Sequence, residues 1–271
     1  MELTLVLGVA AVREVFGLFW GLVGSLPLTD RQTHADCGMS RTFLLVGGNS
    51  GIGLATARVL LGRGDHVIAA ARDPGPLVEL GVAVQPFEAN APGALELPPV
   101  LDGLVYFPGT ISLKPFHRLT AADLTRDFQI NCLGAVACIQ AALPALKAAP
   151  SASIVLFSTV AVSHGMALHA SIAAAKGAVE GLMRALAAEF APKICVNAIA
   201  PSLTDTPLAA TFLNSDLKRE AARKRHPLQR VGDPSEIAGV VAFLLSDAAR
   251  GLSGQILRPD GGLSAIRLFS S

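Results

Sequence analysis

Short runs of consecutive apolar residues alternate with longer segments of helical spacing along most of this chain. Residues 43–46 are apolar throughout and end in the turn Gly47-Gly48-Asn49-Ser50-Gly51-Ile52-Gly53. Leu54, Ala57, Leu60 and Leu61 follow with the spacing of a helix. Further strands are predicted at 66–71, 82–85, 104–107, 154–157, 194–199 and 255–257, and further helices over 120–147, 171–190, 206–224 and 234–245. Thr120-Ala121-Ala122-Asp123 has the form of a capping box before the first of these. Arg72-Asp73-Pro74-Gly75-Pro76 and Pro108-Gly109 read as strand-ending turns. The segment 89–99 carries three prolines and a glycine, so any crossover helix there must be short.

Strands that are mostly apolar along their whole length, alternating with helices, imply a parallel sheet covered on both faces: a doubly wound α/β fold in a single domain over residues 39–271. In such sheets ligands bind beyond the carboxyl ends of the strands. The glycine turn stands at the first of those ends. Its glycines let the backbone turn sharply and approach a phosphate closely, and the helix behind it offers free N–H groups to an anion. The spacing Gly-x-x-x-Gly-x-Gly is neither the G-x-G-x-x-G fingerprint nor the P-loop. The strand–turn–helix context and the βαβ pattern that follows carry the signal.

Composition narrows the picture. Of 271 residues, 51% are hydrophobic and 16% charged, against about 25% charged in an ordinary globular protein. That balance points to helix faces buried in subunit contacts as well as in a core. A net charge of +1 with no long basic run argues against a nucleic-acid partner. Cys37, Cys132, Cys138 and Cys195 are scattered without metal-ligand spacing, which fits reduced thiols in a cytoplasmic protein and no metal site. Residues 1–38 differ from the rest. Two apolar stretches, 3–12 and 15–28, are interrupted by Arg13-Glu14, and Met1-Glu2 provides no basic leader. This argues against a secretory signal and a membrane span. The segment reads as an extension outside the fold, upstream of a domain start at Met39; the runner-up is a helix lying on a partner or membrane surface. Residues 39–271 call for no membrane.

Further motifs follow the glycine turn in order. Asn131 stands in Ile130-Asn131-Cys132-Leu133-Gly134, and Lys176 closes Ser171-Ile172-Ala173-Ala174-Ala175-Lys176. Pro201-Ser202 precedes Thr204 and Thr206, and Pro227-Leu228-Gln229-Arg230-Val231-Gly232 and Asp260-Gly261-Gly262 come last. Over residues 41–264 this succession resembles the short-chain dehydrogenase/reductase family. The resemblance implies a Rossmann-like fold and an NAD(P)-dependent oxidoreductase acting on a small carbonyl or alcohol. It places Gly47, Asn49, Ser50, Gly51, Ile52 and Gly53 in the cofactor loop, with Val46 where a threonine is usual. Pro108 and Gly109 fall in the position of the family's Asn-Asn-Ala-Gly motif. Asn131 matches the active-site asparagine, and Lys176 the lysine of the Tyr-x-x-x-Lys motif. Pro201 and Ser202 match the Pro-Gly loop, with serine for glycine, and Thr204 and Thr206 match the segment that holds the nicotinamide amide. Related enzymes pair the helices at 120–147 and 171–190, which implies a homodimer or homotetramer.

Two further departures fall in the catalytic set: Thr159 stands where the family has its serine, and Ile172 where it has its tyrosine. A tyrosine beside a lysine gives its proton to the alkoxide that forms as hydride reaches a carbonyl carbon, and isoleucine cannot. Thr159 can still donate a hydrogen bond to the carbonyl oxygen, Lys176 can hold the ribose hydroxyls, and Asn131 can position a water. His169, three residues before Ile172, is the candidate substitute acid, against a plainer role in helix entry and capping. Tyr106 is expected to pack rather than donate a proton. The alternative is a non-redox protein that binds the nucleotide as a sensor or polarises a carbonyl for isomerisation. Ala71 and Arg72 end the second strand where an acidic residue would take the ribose hydroxyls of NAD. A guanidinium there suits a 2′-phosphate, so NADP(H) is expected in preference to NAD(H), with Glu88 near the adenine. Arg58, Arg118, Arg126, Arg184 and the basic residues of 218–226 read as solvated surface, and Asp260 as the residue that fixes the C-terminal turn.

Overall fold

The alternating runs build one seven-stranded, wholly parallel sheet in a computed structural model that describes residues 40–268. Its strands are β1 (Thr42–Val46), β2 (His66–Ala71), β3 (Ala83–Pro86), β4 (Gly103–Tyr106), β5 (Ala152–Phe157), β6 (Ile194–Ile199) and β7 (Ile256–Leu257), in the spatial order β3-β2-β1-β4-β5-β6-β7. The chain runs outward from β1 to β3, returns to β4 beside β1, and then runs outward the other way. Val46, the last residue of β1, is level with Ala70 on one side and Tyr106 on the other. The strand order therefore reverses at the carboxyl end of β1, where a crevice opens in sheets of this kind.

Both faces of the sheet are covered, which is why its strands are apolar without alternation. Leu44, Val46, Leu104 and Tyr106 pack beneath α3 (Gly134–Ala148) and α4 (Ala170–Phe190), with Ala135, Cys138, Val179 and Met183 in the same cluster. Phe43, Leu45 and Val105 point the other way, against Ala57 and Leu60 of α1 (Gly51–Gly62) and Ile237 and Val241 of α6 (Pro234–Leu244). Ala121–Ala148 is, among the described residues, the helix long and apolar enough to cross a membrane, and half of its most apolar stretch is buried inside this fold.

Several boundaries differ from the sequence expectation. The helix α1 begins at Gly51, inside the glycine turn. Gly75–Leu80 forms a 3-10 turn, and the expected helix at 206–224 is a 3-10 turn (Pro207–Phe212) followed by α5 (Asp216–Lys224). The restart has a local cause: the Ser215 side chain accepts the Lys218 N–H and caps a new helix. The helix expected at 120–147 is interrupted as well. Its start is the capping box, with Thr120 and Asp123 bonded reciprocally. After α2 (Ala121–Phe128) the chain makes a π-turn at Gln129–Leu133 before α3. The Gly134 N–H bonds the carbonyl of Gln129, and the carbonyl of Ile130 accepts the Tyr106 hydroxyl at 2.6 Å. Residues 1–38, with Trp20 and Cys37, lie outside the described residues.

The π-turn depends on glycine. A β-carbon at Gly134 would fall 2.2 Å from the Tyr106 hydroxyl oxygen and 2.7 Å from the Ala89 carbonyl oxygen. Gly134→Ala should therefore lower folding stability by about 2 kcal/mol or more, and Tyr106→Phe by about 1 kcal/mol for the lost bond. Because one atom carries both effects, the double variant should lose less than the two together in urea titrations. Strictly additive losses would contradict this coupling.

Candidate active site

A cleft of about 770 Å³ lies at the carboxyl ends of β1, β2 and β4. Gly47, Asn49, Ser50, Gly51, Ile52 and Gly53 form one wall, and Arg72, Glu88, Pro108, Gly109 and Thr206 line the remainder with their neighbours. Positive φ angles of 77° at Gly47 and 51° at Gly51 make the turn. At Gly53 a β-carbon would sit 2.7 Å from the Gly47 oxygen and the Gly48 α-carbon, so only glycine lets α1 press against the turn. The first-turn N–H groups of α1 thereby stand at the cleft edge. The Asn49 amide donates to the Asp73 carbonyl and carboxylate (3.1 and 3.2 Å) and fixes the loop after β2. Arg72 and Glu88 are exposed at the cleft, and Arg126, read as surface, also borders it.

Behind the floor lies a buried polar group. Lys176 is 6% exposed, and among the described residues its ammonium has no hydrogen bond or ion pair. Burial lowers its pKa from 10.5 to about 8, against an upward pull from Cys132 and Asp127. The Asn131 amide donates to the Asp127 carbonyl (2.7 Å) and the Thr110 hydroxyl (3.0 Å), while its buried Oδ1 has no partner among the described residues. Both polar ends converge on Gly109, where a β-carbon would lie 3.2 Å from Asn131 Oδ1 and 3.3 Å from Lys176 Nζ. Asn131 belongs to the π-turn and Lys176 to α4, so the interruption of the helix and the glycine of the cleft floor together bring them to one point.

The other expected site residues are spread more widely. Thr159 is half-buried at the start of the 3-10 turn Val160–Val162, and its hydroxyl accepts the Ala161 N–H. Ser158 before it is turned inward and donates to Glu180 (2.7 Å). Ile172 is buried on α4, one turn before Lys176. His169 sits at the N-cap of α4 with its ring on the Ala167 carbonyl, outside the cleft lining. Tyr106 is buried, and desolvation followed by the Cys138 and Cys132 thiols raises its pKa far above its ordinary value. Pro201 accepts the Val160 N–H and ties the loops after β5 and β6 together. Thr206 packs over Gly51. Thr204 is buried, with its hydroxyl on the Ser202 carbonyl. Ser202 faces a second cavity of about 390 Å³, bonded to His226 Nε2 (2.9 Å) and lined also by Gly232 and Asp260. Asp260 accepts from Gly262 and Ser264 and holds that turn.

Sequence reasoning missed Asp127. It is 1% exposed and accepts hydrogen bonds from three hydroxyls: Thr110 (2.7 Å), Ser112 (2.9 Å) and Ser171 (2.6 Å). The available signal was its place four residues before Asn131, which puts both side chains on one helical face.

The fold and cleft define an open, doubly wound α/β protein whose site lies where the strand order reverses. The family model described as enoyl-(acyl carrier protein) reductase matches residues 87–264. The chain is 37% identical over 245 residues to cis-4-hydroxycyclohexanecarboxylate dehydrogenase of Sinomonas cyclohexanicum, which spans 83% of this chain and 97% of the relative. Among solved structures it is similar to aldohexose dehydrogenase of Thermoplasma acidophilum (TM-score 0.77, 27% identity, 86% of this chain and 97% of that one). It is also similar to a short-chain dehydrogenase/reductase of Brucella melitensis (TM-score 0.72, 30% identity, 82% and 96%). The chain belongs to the short-chain dehydrogenase/reductase family, and it is an oxidoreductase of that type. This family's fold binds NAD(P)(H). The site fits such a group: a glycine wall that β-carbons would fill and, among the described residues, a buried ammonium and an amide oxygen without hydrogen-bond partners.

The depressed pKa of Lys176 has a stability consequence. Between about pH 8 and 10.5 the unfolded chain holds the lysine proton and the folded chain does not, so this group makes the cofactor-free protein more stable as pH rises through that window. The gain is on the order of 3 kcal/mol at most. Denaturant titrations of wild type and Lys176→Met from pH 7 to 10 should show a rise in wild type that the variant lacks. Parallel curves would contradict it.

Proposed function

We propose that the protein is an NADP(H)-dependent oxidoreductase that interconverts a carbonyl and an alcohol, and that its proton travels by way of Lys176 and Asn131 in place of a tyrosine. The observation that carries this reading is the meeting of Lys176 Nζ and Asn131 Oδ1 at Gly109, with no hydrogen-bond partner for either among the described residues. When bound, the cofactor supplies or accepts hydride at its nicotinamide ring. The chain does the rest. Gly47, Asn49, Ser50, Gly51, Ile52 and Gly53 cradle the diphosphate, and Pro108, Gly109, Pro201, Thr204 and Thr206 bound the nicotinamide side, while the Ser202 hydroxyl stays on His226 at the second cavity. Arg72, exposed and unpaired among the described residues at the cleft, holds a 2′-phosphate, with Glu88 by the adenine. NAD(H) is the weaker ligand. Thr159 donates a hydrogen bond to the substrate oxygen, which lowers the cost of negative charge there. Ile172, in the family's tyrosine position, walls the site and exchanges no proton.

A water held between Asn131 Oδ1 and Lys176 is the proton donor of this reading. An ammonium whose pKa lies near 8 can replenish that water at neutral pH. The buried Tyr106 hydroxyl is committed to the Ile130 carbonyl and takes no part. His169 is the rival acid; its ring would have to leave the Ala167 carbonyl and turn into the cleft. The substrate is a small carbonyl or alcohol, the compartment is the cytoplasm, and residues 39–271 work as a homodimer or homotetramer, with 1–38 an extension that the domain does not need. Leu124, Phe128 and Leu133 expose apolar surface along α2 and the π-turn, which supports that assembly; light scattering at micromolar concentration reads it directly.

Two variants test the proposal. Arg72→Ala should weaken NADPH about 10- to 100-fold, the worth of a charge-assisted contact, and leave NADH nearly unchanged; equal losses for both cofactors would remove the 2′-phosphate role. Ile172→Tyr should raise NADPH-dependent reduction of simple ketones and quinones by about 100-fold or more, the usual contribution of a positioned acid. Unchanged rates in that variant, together with a large loss in His169→Ala, would transfer the proton to the histidine.

A further inference from the structure

Asp127 is a buried carboxylate outside the cleft lining. Its three hydrogen-bonding hydroxyls come from two other segments: Thr110 and Ser112 from the segment after β4, and Ser171 from the first turn of α4. Its backbone carbonyl takes the Asn131 amide, and that amide also donates to Thr110. Thr110 and Ser112 line the cleft, so the carboxylate lies one hydroxyl behind it. Among the described residues no cation touches Asp127. A buried carboxylate served only by neutral hydroxyls is costly, and the cost falls if a positive charge stands nearby. Lys176, five residues after Ser171 on α4, is that charge, and the carboxylate favours its ammonium form.

We propose that Asp127 is a positioning residue for the cofactor site: its carboxylate keeps Lys176 charged behind Gly109, and its hydroxyl partners hold Asn131 and α4 in register with the cleft floor. The inference rests on the reading of Lys176 as the cation that serves the cofactor. The groups facing this lysine are few. From α2 and the π-turn come Asp127 and the Cys132 thiol. Asp123 of α2 is bonded to Lys114, and Arg126 borders the cleft. On α4 itself, Glu180 is taken by Ser158 and Arg184. From β6 the Cys195 thiol is turned to the Arg250 carbonyl, and β5 and the turn at Val160–Val162 bring no titratable side chain.

The test is the dissociation constant of NADPH, read from nicotinamide fluorescence between pH 6.5 and 10, in wild type, Asp127→Asn, Ser171→Ala and Lys176→Met. Wild type should lose affinity as pH rises through the lysine midpoint, and Lys176→Met should lose that dependence. Asp127→Asn keeps the side-chain shape and removes the charge. The ammonium is then less favoured, so the midpoint should fall by about one pH unit, the lower end of the effect of a neighbouring opposite charge. Ser171→Ala keeps the charge and should keep the midpoint, at some loss of thermal stability. A role confined to the scaffold would lower stability in Asp127→Asn without moving the midpoint, and that result overturns the proposal while leaving the lysine reading intact. A flat wild-type profile, or a profile unchanged in Lys176→Met, removes the lysine reading and the proposal with it. Asp127→Ser, a second neutral variant with room for a water on the same hydroxyls, is read in the same way. If neither neutral variant folds, Asp127 belongs to the scaffold alone and the proposal fails.

Discussion

A lysine ammonium held out of water, with no hydrogen-bonded partner among the described residues, is the constraint on which the rest of this molecule depends. Desolvation disfavours the charge, and no salt bridge among the described residues relieves it. It sets Lys176 under Gly109, where its polar end and the unpaired Asn131 Oδ1 converge beneath the cleft floor. Two polar groups in one buried place, without partners among the described residues, are a cost to the free protein, and a bound polar ligand with its waters is what would remove that cost.

Close packing of backbone makes this arrangement reachable. Gly53 lets α1 press on the turn after β1, Gly109 lets the cleft floor approach Asn131 and Lys176, and Gly134 lets the π-turn approach Tyr106. The Tyr106 hydroxyl then occupies the Ile130 carbonyl that the π-turn leaves out of the helical ladder. One result of that turn is the placement of Asn131 on the side of α4, where Lys176 lies. The polar centre is thus assembled by the π-turn, α4 and the segment after β4, and Asp127 of α2 bonds to side chains from the last two.

The strands were legible because parallel strands buried on both faces are written as unbroken apolar runs between glycine and proline turns; 66–71 and 194–199 match β2 and β6 to the residue. The crevice was legible for the same reason, since the glycine turn follows the first run. What the sequence hid is tertiary. The π-turn is tied to a hydroxyl from β4, a partner remote in sequence, and 120–147 carries no local sign of it. The break before α5 lay in a serine cap inside a segment that reads as continuously helical. Asp127 was overlooked because a lone acid in a helix is ordinarily solvated; here hydroxyls from two other segments make burial tolerable. Ser202 was grouped with the cofactor residues by its motif, yet its hydroxyl is bonded to His226 at a second cavity. Lys176, Asn131 and Gly109 were legible as motif positions, and their convergence was not.

The central claim is that hydride leaves or enters a nicotinamide seated at this floor while Lys176 and Asn131 manage the proton. The most direct measurement follows deuterium from NADPH labelled at C4 into a panel of ketones, enones and quinones, with cofactor saturating, in wild type and Lys176→Met. The account predicts deuterium on the former carbonyl carbon of an alcohol product in wild type, and a loss of about 100-fold or more in the variant. Deuterium in no product, or equal transfer in both proteins, would contradict it.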